Sequence, residues 1–70
     1  MNKIDDLINR LNAAVLKLNL SNKIHAVYYD PSEDIVTIAV LHGVDMTDVY
    51  TSIESSGLLK KDDQIAIVWV

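Results

Sequence analysis

Cysteine is absent from this chain, which excludes a disulfide framework and a thiolate zinc site, two of the devices by which small domains make up for a small core. Proline occurs once and glycine twice while half of the residues are apolar, a globular rather than a disordered composition. Long hydrophobic runs are lacking too. The longest uninterrupted apolar stretches are about six residues, against roughly 20 for a membrane span, and Asp5 and Asp6 stand where the basic and apolar regions of a signal peptide would run. The expectation is a soluble cytoplasmic protein, and the missing cysteine agrees with a reducing compartment.

Seventy residues fit one domain, and a chain of that size buries only about 60% of the surface its unfolded form exposes. Without disulfides or thiolate zinc, oligomerisation or unusually good packing is left to supply the margin of stability.

The net charge is −4, unevenly placed. Lys3, Arg10, Lys17 and Lys23 outnumber Asp5 and Asp6 over residues 1–23, a balance of +2. Over residues 24–70 the acids outnumber Lys60 and Lys61 to give −6. Nearly every acid falls in a turn or a first helical turn, where local capping alone accounts for it; the sharper reading is an acidic face that docks a basic protein surface.

The clearest periodicity lies in residues 3–19, where Ile4, Leu7, Ile8, Leu11, Ala14, Val15 and Leu18 follow the i, i+3, i+4, i+7 recurrence of one helix face. Asn2 caps its start, Asp5 and Asp6 suit the positive end of its dipole, and Leu16 and Leu20 are expected to widen the buried arc. Residues 23–29 and 35–41 are strand-forming runs separated by Asp30-Pro31-Ser32-Glu33-Asp34, an antiparallel hairpin with Pro31 in a type I turn. Pairing Asp30 with Asp34 puts Ile24, Ala26 and Tyr28 on one face with Val36, Ile38 and Val40, the core face. His25, Val27 and Tyr29 then share the other with Ile35, Thr37 and Ala39.

Asp45 reads as an N-cap with Asp48 three positions on, and Val44 and Val49 stand at the positions of a hydrophobic staple. The stripe Met46, Val49, Tyr50, Ile53 marks a helix ending at Ser55-Ser56-Gly57, with Gly57 free to take the left-handed conformation. Residues 64–70 form the last strand. The fold class expected is α+β: a single domain over 1–70, a two-layer α-β-β-α-β arrangement with a three-stranded mixed sheet and two helices on one face. A right-handed crossover sets the last strand parallel to the second. The most apolar strand of the chain is then an edge, and it carries no lysine, proline or other device that blunts natural edges.

Chemistry-bearing patterns are few. His25 and His42 stand about three positions out of register, roughly 10 Å apart along the hairpin, and Asp45 and Asp48 beside His42 are claimed by helix capping. No metal site, cofactor motif, nucleophile elbow or phosphate-cradling loop is present in the sequence, and catalysis is not expected.

The function expected is a small non-enzymatic interaction protein, a regulator or inhibitor that occupies a partner's surface. It is expected to be a homodimer through its C-terminal strand or open sheet face. Val27, Tyr29, Ile67, Val68 and Trp69 are the expected apolar anchors, with Asp30, Glu33 and Asp34 as a polar rim toward a partner with a basic surface. Two alternatives stand beside it: a self-assembling structural subunit, and a weak nucleic-acid binder, which the overall acidity disfavours. A DNA mimic is a sharper variant, for which −6 is a modest charge. Small chains without catalytic motifs are often encoded by phages or other mobile elements, an expectation from size alone.

Overall fold

The computed structural model describes residues 2–70, in the order α1 (Lys3–Lys17), β1 (Ile24–Asp30), β2 (Ile35–Val40), α2 (Met46–Ser55) and β3 (Ile65–Trp69). The three strands form one sheet in the order β1-β2-β3, antiparallel between β1 and β2 and parallel between β2 and β3. This is the expected α+β arrangement, and β3 is an edge.

Both helices begin where their caps dictate. The Asn2 side chain accepts the Asp5 N–H at 2.8 Å, and Asp45 accepts those of Thr47 and Asp48 at 2.9 and 3.3 Å, satisfying donors that the first turn leaves free. α1 stops in a Schellman motif. Asn19 takes φ 59, its N–H reaches the Leu16 carbonyl, and the Leu20 N–H reaches that of Val15. Leu20 thereby folds back into the core, while Leu16 is 76% exposed, so the buried arc of α1 is narrower than its leucines imply.

One core lies between the layers. Leu7, Leu11 and Ala14 of α1 and Val49 and Ile53 of α2 meet Val36, Ile38 and Val40 of the central strand, so both helices cover the same face. The edge strands complete that face with Ile24, Val27, Tyr29, Ile65 and Ile67.

The face assignment of β1 therefore differs from the expectation. Asp30 pairs with Ile35 rather than Asp34, because Asp34 adopts φ 54 and closes a four-residue loop. This one-residue shift turns Val27 and Tyr29 toward the helices and Ala26 and Tyr28 away. A bulge between Ile24 and Ala26 then restores the pairing of Ile24 with Val40, so Ile24 also reaches the core.

Arg10 ties the layers together. Its guanidinium donates to Asp6 (2.9 Å), to the Leu58 carbonyl (2.8 Å) and to both carboxylate oxygens of Asp63 (2.6 and 3.2 Å), fixing the segment that leads into β3 against α1.

Candidate functional site

Period-two alternation and the observed register define what faces away from the helices. Across the sheet, Tyr28, Thr37 and Ala66 form one row and Ala26, Ala39 and Val68 the next. Ile35 extends the central column at one end. Leu41 extends it at the other, where its N–H reaches the Lys23 carbonyl at 3.0 Å. Thr37 and the Tyr28 phenol carry the polar groups of the two rows, and the Thr37 hydroxyl donates weakly to the Ile35 carbonyl at 3.4 Å.

This pattern is unlike a solvated sheet face. An antiparallel or mixed sheet covered on one side ordinarily alternates apolar and polar residues, whereas β2 reads Ile-Val-Thr-Ile-Ala-Val with apolar residues on both faces. Thr37 and Ala39 retain only 2% and 1% of their accessibility although no helix lies over them. Side chains of the flanking strands close around them, and the exposed Tyr28 and Val68 stand beside them in the same two rows.

The free edge of β3 adjoins this face. The Val70 N–H donates to the Val40 carbonyl at 2.9 Å, so by the period of two Ala66 and Val68 also turn their amides toward β2. Ile65, Ile67 and Trp69 turn theirs outward.

The expected contact residues divide among these surfaces. Val68 lies on the open face. Ile67 points its side chain into the core, as do Val27 and Tyr29, so these three are not side-chain anchors on the open face. Trp69 is exposed, yet its indole N–H donates to the Val44 carbonyl at 2.9 Å and its ring meets the edge of His42 at 5.8 Å between centroids. Its position is set by the β2–α2 loop.

Asp30, Glu33 and Asp34 cluster at the hairpin end. Asp30 accepts the backbone N–H and hydroxyl of Ser32 at 3.0 and 2.7 Å, which holds its carboxyl below the usual range. Asp34 accepts the Tyr29 hydroxyl at 2.5 Å, which raises the phenol above its ordinary value.

Sequence reading missed the open-face roles of Tyr28, Ala26, Ala66 and Leu41. Alternation signals them only when the register is known. It also missed the role of Arg10, which enters the sequence reading only through the charge balance of residues 1–23 and is engaged by two carboxylates and a carbonyl.

An open cleft of about 440 Å³ lies between the first turn of α1, the hairpin end and residues 62–64. No serine, threonine or histidine lines it. Two of its carboxylates are already bound, Asp34 by Tyr29 and Asp63 by Arg10 and the Lys60 N–H. Among the described residues no three His, Cys, Asp or Glu side chains are grouped as metal ligands, and no helix is long and apolar enough to cross a membrane.

Fold and surface together define a small two-layer α+β domain with an apolar sheet face and a free apolar edge. The chain matches no protein-family model, no curated protein and no solved structure.

Proposed function

We propose that this chain is a non-enzymatic protein-interaction module, a regulator or inhibitor that acts by occupying a partner's surface with its sheet. The observation that carries the reading is the central strand, apolar on both faces with only one face covered by helices. Strands with that composition are ordinarily buried on both sides. Asp30, Glu33 and Asp34 at the hairpin end supply a polar rim of negative charge beside the apolar rows, which suits a partner surface that is apolar at its centre and basic at its border.

Strand addition is the second mode of contact supported by a specific feature. The outward N–H and C=O groups of Ile65, Ile67 and Trp69 offer a partner strand a ready ladder.

A photo-crosslinking residue in place of Tyr28, on the open face, tests the reading against the same residue in place of Tyr50, exposed on α2. Inside producing cells, position 28 should give discrete protein adducts and position 50 none. Equal labelling at both positions, or none at position 28, would remove the open face as the working surface.

A further inference from the structure

The geometry points to a second copy of this chain as the occupant of the open sheet face, packed face to face about a two-fold axis that runs across the strands between the two central rows. This rests on the reading of the open face as a protein-contact surface and assigns that face to a second copy, which leaves the outward edge of β3 as the surface for a foreign partner.

Three observations select a second copy and its orientation. The first is relief. The axis exchanges the two rows while keeping each column, so Tyr28 stands over the partner's Ala26, Thr37 over the partner's Ala39, and Ala66 over the partner's Val68. In the outer columns a larger side chain meets a smaller one, and in the central column two small ones meet. This is the self-complementarity an isologous interface requires, and it lets two twisted sheets approach to the roughly 10 Å of aligned packing.

The second is charge. Asp30 stands at one end of β1 and Lys23 just before the other. Antiparallel strands across the interface set Asp30 over the partner's Lys23 and Lys23 over the partner's Asp30, two opposite-charge pairs at the rim. An axis running along the strands would instead place Asp30 over the partner's Gln64, so the charges favour the first orientation.

The third is area. The molecule measures 31 × 26 × 17 Å. The open face of three strands spans about 15 by 20 Å at roughly 4.8 Å between strands and 3.3 Å per residue, on the order of 300 Å², so it forms the apolar centre of the contact, and the border residues supply the rest of the roughly 800 Å² per partner of a stable interface. The apolar rows lie at its centre and the charges at its border, the usual interface anatomy.

Sedimentation equilibrium of the purified full chain across the micromolar range tests this. The wild type should be a dimer. Thr37→Arg, at the centre of the face, should be a monomer with unchanged far-ultraviolet circular dichroism. Tyr28→Lys, at a position already exposed, repeats the test should Thr37→Arg fail to fold.

Lys23→Asp and Asp30→Lys should each weaken the dimer by about tenfold through repulsion at both rims. An equimolar mixture of the two should recover wild-type affinity, because every pair in the mixed dimer is again attractive. A monomeric wild type overturns the inference, and adducts to a foreign protein from position 28 would then leave the interaction reading standing. A dimer that survives both Thr37→Arg and Tyr28→Lys assigns association to another surface, and a mixture that recovers nothing overturns the orientation; either result sinks the arrangement described.

Discussion

Asp63 receives the Arg10 guanidinium through both carboxylate oxygens, at 2.6 and 3.2 Å, across 53 residues of sequence. The Asp63 side chain keeps only 3% of its accessibility and that of Arg10 17%. Breaking this pair from one side is costly, because the largely buried guanidinium would keep Asp6 and the Leu58 carbonyl but lose both of its bonds to Asp63, and the Lys60 N–H would lose its acceptor. The bridge also holds the segment that delivers β3 to the sheet, so it links the helix layer to the edge strand.

Asp63→Ala should therefore lose about 2 kcal/mol of folding free energy, read from urea denaturation. For a domain of this size that corresponds to a fall in Tm on the order of 10 °C. The double variant Arg10→Met/Asp63→Leu, which removes both charges, should be more stable than Asp63→Ala alone. Equal losses would show that packing rather than the donors left without Asp63 sets the cost.

The same pair sets a pH dependence. The Arg10 guanidinium holds the Asp63 carboxyl below the usual carboxylate range, outweighing the opposing effect of burial. A carboxyl lowered in the folded state stabilises it above the unfolded value of about 3.9, and that contribution disappears as pH falls through the folded value. The gap in urea midpoint between the wild type and Asp63→Asn should be widest near neutrality and close on acidification. A gap independent of pH contradicts the mechanism.

Asn19 at φ 59 occupies the C′ position of the α1 Schellman motif, where glycine avoids the Cβ penalty. Asn19→Gly should raise stability by about 0.5 kcal/mol and Asn19→Ala lower it by about 1 kcal/mol. Thermal unfolding followed by circular dichroism orders the three proteins; an alanine variant as stable as the glycine one would contradict the left-handed assignment.

Two leucines of α1 should respond oppositely. Leu11 is wholly buried, and Leu11→Ala should cost about 3 kcal/mol through lost contacts and the cavity left behind. Leu16 is exposed, and Leu16→Glu should change stability by less than about 0.5 kcal/mol. Denaturation of the two variants checks the direction in which the helix faces.

Much of the local structure was legible in the residues. The α1 stripe, the caps at Asn2 and Asp45, the stop at Gly57 with φ 79 and the apolar last strand are short-range patterns whose causes lie within one turn of the chain. The surface was less legible. Ile35, Thr37 and Ala39 were placed on it from alternation, but Val27 and Tyr29 were exchanged for Ala26 and Tyr28, because a strand's alternation does not say which parity is inward.

By itself the sequence determined the order of elements, the helix boundaries and the apolar edge, since propensity and capping act between near neighbours. Tertiary structure decided which face of β1 is buried, through the left-handed Asp34 and the bulge beside Ala26. It also joined Arg10 to Asp63. A pairing register and a bridge over 53 residues depend on how layers meet in space, and no local pattern in the chain records them.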